Sequence, residues 1–263
     1  AARMPGMSIA LTDDHKALAD TASELLAKRD ARGANRALLE AADEPMPAFW
    51  DEVAGLGWLG LHVPEDHGGS GFGLPELVVV VEELGRAIAP GPFVPTVIAS
   101  AVIAAAAPAD VQKRVLPGLA DGSVVGAVAV GGDVAVSNGS ASGSAVVVGG
   151  GLADLLVVRV GDDAALIETS ADGVSIEVPA NLDQGRRSAR VTLDGVPAEI
   201  LPGAGQAVVD HTRLLFAAEC VGVARECTEQ AAAYAKEREQ FGRPIAMFQA
   251  VKHHCANMLV ATE

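Results

Sequence analysis

Aromatic side chains are scarce: they make up 3% of the 263 residues, with one Tyr, two Trp and six Phe. A core therefore has to come from small aliphatic residues, which pack densely where helix meets helix. Cysteine is scarce as well, present only as Cys220, Cys227 and Cys255. An odd number without a C-x-x-C pair or Cys/His ligand spacing excludes a disulfide framework and a zinc site, and a reducing cytoplasm fits. Cations are in the minority, 19 Lys and Arg against 34 Asp and Glu, for a formal net charge of −15. Nucleic acid is bound by clustered cations, so that partner class is excluded. Long apolar runs are missing too. No stretch reaches the ~20 residues of a membrane span. The run Val78 to Val81 is followed by Glu82, Glu83 and Arg86, and Ala1-Ala-Arg-Met-Pro-Gly6 lacks the apolar segment of a signal peptide.

What is present divides into three stretches. Residues 1–121 read as helices and loops. Thr12 caps a helix with Asp13 and Asp14 in its first turn and Leu18, Ala22, Leu25 and Leu26 at helical spacing. Pro47 suits a first helical position, with Phe49, Val53 and Leu56 on one face. Pro75 starts another helix that ends near Ala89-Pro-Gly-Pro92, and Pro108 starts one more. Residues 122–204 change to Val-rich runs at 124–130, 146–148, 155–160 and 190–193. The turn chemistry at Gly161-Asp-Asp163, Asp172-Gly173 and Asp194-Gly195 favours antiparallel pairing. Residues 205–263 return to helix, with Leu214, Ala218, Val221 and Ala224 at helical spacing, a break at Gly242-Arg-Pro244, and a second helix that meets the end of the sequence without a stop signal. That last helix is expected to find its partners elsewhere.

The order helical, β, helical carries specific landmarks: Leu56-Gly-Trp-Leu-Gly-Leu-His-Val-Pro-Glu-Asp-His-Gly-Gly-Ser-Gly71, Glu82-Glu-Leu-Gly-Arg86, Ala89-Pro-Gly-Pro92, and Tyr234-Ala-Lys-Glu-Arg-Glu-Gln-Phe-Gly-Arg-Pro-Ile245 with Phe248-Gln249. In this order they resemble the acyl-CoA dehydrogenase family over most of the chain. The resemblance implies an α+β fold with an N-terminal helical domain (1–121), a middle antiparallel β domain (122–204) and the start of an incomplete C-terminal helical bundle (205–263). It implies FAD as cofactor and an acyl-CoA thioester desaturated to its 2-enoyl form, with electron-transfer flavoprotein as electron acceptor. Arg238 is expected to reach the pyrophosphate of a flavin bound mainly by a neighbouring subunit, and Gln240, Phe241, Phe248 and Gln249 to line its adenine end. The physics agrees: a guanidinium pairs bidentately with phosphate, and an aromatic ring offers a purine a stacking surface.

Departures from the family pattern matter as much. The catalytic glutamate of the family lies either in the final helical segment, beyond residue 263, or just before the equivalent of Arg213, where this chain has Thr212. A threonine hydroxyl is no general base for that proton, so no catalytic residue is assigned. The polar loop and strand that hold the flavin ring have no counterpart in Gly126-Ala-Val-Ala-Val-Gly-Gly-Asp133 and the residues after it; Asp133 and Gly149-Gly-Gly151 read as turns. Glu82 and Glu83 read as a solvated helix face, and His253-His254 lack metal-ligand spacing. The chain thus resembles the degenerate half or subunit of paired members that act on CoA thioesters of steroid side chains, completing a flavin site with a partner that carries the base. The alternatives are a non-catalytic structural or binding subunit of the same fold, and a self-sufficient dehydrogenase seen as a truncated chain.

Overall fold

A computed structural model describes residues 11–263; the reading of residues 1–6 lies outside them. Helix α1 (Asp13–Lys28) starts where Thr12 Oγ1 accepts the His15 N–H at 3.1 Å while His15 Nδ1 accepts the Thr12 N–H, and it buries Ala22, Leu25 and Leu26. After α2 (Ala31–Ala37), helix α3 (Trp50–Gly55) begins three residues later than Pro47 suggested. The Pro47 carbonyl instead accepts from the Trp50 N–H, and Trp50 joins Phe49 and Val53 inside while Leu56 faces out. Helix α4 (Leu74–Ala87) carries Pro75 in its first turn and ends on Ile88 in the left-handed region; α6 (Ala109–Ala120) follows Pro108. Between them lies α5 (Phe93–Ala106), for which the sequence shows no amphipathic stripe, because it is buried on nearly every side.

Eight strands follow: β1 (Gly126–Ala129), β2 (Gly132–Ser137), β3 (Ser140–Val148), β4 (Leu155–Val160), β5 (Asp163–Glu168), β6 (Val174–Glu177), β7 (Ser188–Pro197) and β8 (Glu199–Leu201). They form one sheet in the order β6-β7-β3-β1-β4-β5-β8, with β2 also on β3. Contrary to the antiparallel expectation the sheet is mixed, since β1 and β4 run parallel from Gly126↔Leu155 to Ala129↔Val158. The two strands meet through the sheet's middle, and no local turn links them, so turn chemistry could not reveal the pair. Asp194-Gly195 is no turn either: it is a bulge within β7, where the register against β3 slips between Ala141 and Gly143. Asp133 sits in β2 opposite Ser144, and Gly149 to Gly151 do form a turn.

Helix α7 (Gly205–Glu237) crosses α4 at close range. A Cβ at Gly222 would lie 2.0 Å from the Glu82 carbonyl oxygen, and one at Gly85 would lie 2.2 Å from that of Glu219, so the two backbones touch glycine to backbone on both sides. The buried stripe of α7 is accordingly Val208, Leu215, Ala218 and Gly222, while Leu214 and Val221 point outward. The packing of helices on α4 overturns the solvated reading of its acidic pair. Glu83 is 6% exposed, and burial pushes its carboxyl above the usual range with Arg86 beside it; Glu82 pairs with Arg225 of α7 at 2.5 Å. The chain ends in a small hairpin, β9 (Glu239–Gln240) with β10 (Arg243–Pro244), and α8 (Gln249–Thr262), whose Thr262 hydroxyl bonds Thr228 of α7 at 3.2 Å.

Candidate functional site

The break after α7 is a built structure. Arg238 leaves the helix in extended conformation (φ −70, ψ 118) with its N–H still on the Tyr234 carbonyl at 2.8 Å. Ile245 then donates its N–H to the Arg238 carbonyl at 2.8 Å and closes the hairpin, with Gln240 opposite Arg243 and Glu239 opposite Pro244. The two-residue turn is Phe241-Gly242, both left-handed at φ 54 and φ 76. Such a turn matches the twist of the strands, but holding a non-glycine residue there costs roughly 1–2 kcal/mol. Phe241 bears that strain while 92% exposed.

Alternation of extended backbone places Arg238, Gln240 and Arg243 on one side of the hairpin and Glu239 on the other. Phe248, half-buried just before α8, meets Phe241 edge to face with ring centroids 6.1 Å apart and planes at 85°. The Arg243 guanidinium carbon lies 4.3 Å from the Phe248 ring centre. Gln249, the first residue of α8, is exposed next to it, and the Gln240 side chain bonds the Glu239 carbonyl at 2.7 Å. All five residues singled out in the sequence therefore sit on the hairpin or at the start of α8, and Phe241 and Phe248 are in contact. Arg243, part of the Gly242-Arg-Pro244 break in the sequence, lies in β10 just after the turn, and a cation two residues after Phe241 is the signal that points to it.

Ion pairs divide the arginines of the described residues, and the hairpin falls with Arg36, Arg190 and Arg213 among those that are exposed and unpaired. Arg32, Arg86, Arg186 and Arg225 each pair with a glutamate. Among the described residues neither Arg238 nor Arg243 makes an ion pair, in a chain of net charge −15. Two exposed guanidinia beside two aromatic rings suit an anion joined to a purine, which fits the phosphate and adenine end of FAD. In the β region, Val130 just past β1 and Val146 in β3 are apolar yet 46% and 62% exposed, and neither side chain offers a hydrogen bond to a flavin ring.

Thr212 keeps its hydroxyl buried without a hydrogen-bond partner, so no carboxylate occupies that position of α7. Nearby, His62 has Nε2 3.0 Å from the Ser100 hydroxyl and a buried, unpartnered Nδ1; burial and then the charge of His211 hold its pKa down at about 4. In the sequence His62 stands only within the landmark Leu56 to Gly71. Among the described residues no group of three or more His, Cys, Asp or Glu side chains could hold a metal, and no helix is long and apolar enough to cross a membrane.

Residues 12–123 match the model of the acyl-CoA dehydrogenase N-terminal domain, and residues 204–263 match that of the acyl-CoA dehydrogenase C-terminal domain. The chain is 37% identical over 225 residues to acyl-CoA dehydrogenase FadE34 of Mycobacterium tuberculosis, an alignment covering 84% of this chain but 30% of that protein's length. Against acyl-CoA dehydrogenase IpdE2 of the same organism it is 33% identical over 249 residues, covering 94% of this chain and 72% of IpdE2. A solved structure described as the Tcur3481-Tcur3483 steroid ACAD G363A variant superposes with a TM-score of 0.85 at 33% identity, over 95% of this chain and 74% of that one. With two domain models covering most of its length and IpdE2 aligned over nearly all of it, the chain belongs to the acyl-CoA dehydrogenase family.

Proposed function

We propose that this chain is one contributor to an FAD-dependent acyl-CoA dehydrogenase, lending its hairpin to a flavin whose ring and catalytic base are held by a partner domain or subunit of the same family. The observation that carries this is the contrast between two surfaces. The hairpin exposes Arg238 without a carboxylate partner next to the Phe241–Phe248 pair, while the β region exposes Val130 and Val146 and α7 carries Thr212. One surface is equipped for the dinucleotide end of the cofactor. The others lack what proton abstraction and ring binding need.

When bound, the flavin supplies the hydride acceptor for α,β-desaturation of an acyl-CoA. This chain's own residues bind and orient: Arg238 offers a planar fork to the diphosphate, Gln240 and Gln249 offer amides to its edge, and Phe241 and Phe248 offer ring surface to the adenine. The α-proton is taken by the partner's base. The likeness to a protein described as a steroid ACAD supports a steroid CoA thioester as the substrate class; the three unpaired cysteines suit a reducing cytoplasm, and electron-transfer flavoprotein is proposed as the acceptor from the family resemblance alone. The three-part division at residues 121/122 and 204/205 belongs to the same proposal.

Substituting Arg238 by Ala in the assembled complex tests it. One lost charge-assisted contact weakens FAD by about tenfold or more, so flavin content is expected to fall while the complex keeps its size. Unchanged flavin occupancy would mean that the chain serves only as a structural subunit.

A further inference from the structure

Resting on that reading of the hairpin, we propose that Arg243 is a second guanidinium for the diphosphate of the same dinucleotide, and that its stacking fixes the ring of Phe248. Position is the first ground. Arg243 pairs with Gln240 across the hairpin, one step from the turn, which puts it on the same side as Arg238. Two cations five residues apart are thus set diagonally on one side of the hairpin, Arg238 opposite Ile245 and Arg243 opposite Gln240, by a turn with Phe241 and Gly242 both left-handed.

Stacking is the second ground. With its carbon 4.3 Å from the Phe248 ring centre, the guanidinium spends its flat face on the aromatic. A stacked guanidinium still has its in-plane N–H donors, so the contact with Phe248 leaves the edge that a phosphate recognises. A lysine at this place keeps the charge and loses both the fork and the flat face. Charge is the third ground. Arg243 is exposed and has no ion-pair partner among the described residues, a state it shares with Arg36, Arg190 and Arg213, but Arg243 alone of these stacks on an aromatic ring beside Arg238. Its neighbour Glu239 lies on the opposite side of the hairpin, where it pairs in register with Pro244. An anion from outside the chain is the partner that this arrangement accommodates.

The test uses the full chain, affinity-tagged and purified with its partner from its own cells, then stripped of flavin and titrated with FAD, ADP and adenosine. Arg243→Gln is expected to weaken FAD and ADP by about tenfold or more and adenosine, which has no phosphate, far less. The preference for ADP over adenosine therefore drops. Arg243→Lys is expected to fall between the two, and it carries the test alone if Arg243→Gln does not assemble. A merely structural Arg243 lowers ADP and adenosine together and leaves their ratio unchanged; that result overturns the inference. Arg238→Ala separates the two levels. If it reduces the ADP preference while Arg243→Gln does not, only the assignment of Arg243 fails; if neither variant changes it, the flavin reading of the hairpin fails as well.

Discussion

The two ends of α7 are held in different ways. Its first two-thirds are locked into the molecule: Val208, Leu215, Ala218 and Gly222 are buried, and the crossing with α4 is reinforced by the Arg225–Glu82 and Arg86–Glu229 ion pairs. Its last turn opens into a hairpin that is almost entirely exposed, strained at Phe241, and without ion pairs at Arg238 and Arg243. Burial fixes the direction of the helix at one end. The other end buries Ala235 but leaves Arg238, Gln240, Phe241 and Arg243 exposed. Residues arranged with that much order and that little burial are arranged for something else.

This contrast can be broken first at the crossing. Gly222→Ala places a methyl carbon 2.0 Å from the Glu82 carbonyl oxygen, so the helices must separate. The expected loss is about 3 kcal/mol or more, at the upper end for overpacking, read as a lower urea midpoint; a midpoint equal to wild type would show that the crossing is loose. A comparable effect, confined to acid, is expected at His62, which sits against the same buried end. Its folded pKa of about 4 lies below the ordinary 6.5, so the unfolded chain takes up the proton first. Stability is then lost as pH falls from 6.5 towards 4, by roughly 3 kcal/mol in total. Chemical denaturation of wild type and His62→Gln across that range checks this, and curves that stay parallel contradict it. The smallest effect belongs to the hairpin. Phe241→Gly relieves the left-handed strain and is expected to raise stability by roughly 0.5–1 kcal/mol while the complex holds its flavin less tightly. A variant that is both less stable and unchanged in flavin retention would place Phe241 with the buried end.

Much of this was legible in the sequence where the cause is local. Thr12, Pro75 and Pro108 mark helix starts because capping and a fixed φ act within one turn. Arg238, Gln240, Phe241, Phe248 and Gln249 came from the resemblance to a family motif whose members lie within twelve positions, and the structure gives their places on the hairpin and at the start of α8. Non-local causes were hidden. Helix α5 shows no stripe because Val94, Val97, Ile98 and Val102 leave no solvent face to contrast with them. The stripe of α7 has Ala218 right but turns on Leu214 and Val221, which face out, whereas the inward face runs through Val208, Leu215 and Gly222, the last at a backbone contact. The parallel β1–β4 pair joins strands far apart in the chain, and the buried Glu83 reads like any surface acid until the helices packed on α4 are in place. Arg243 was missed because Gly-Arg-Pro reads as punctuation, and only the hairpin register shows which side it takes.

The measurement closest to the central claim is the visible absorption of this chain purified alone and then together with its partner. A colourless chain that gains flavin absorbance only in the complex is the predicted result. A yellow protein, active on acyl-CoA and built from this chain alone, would contradict it.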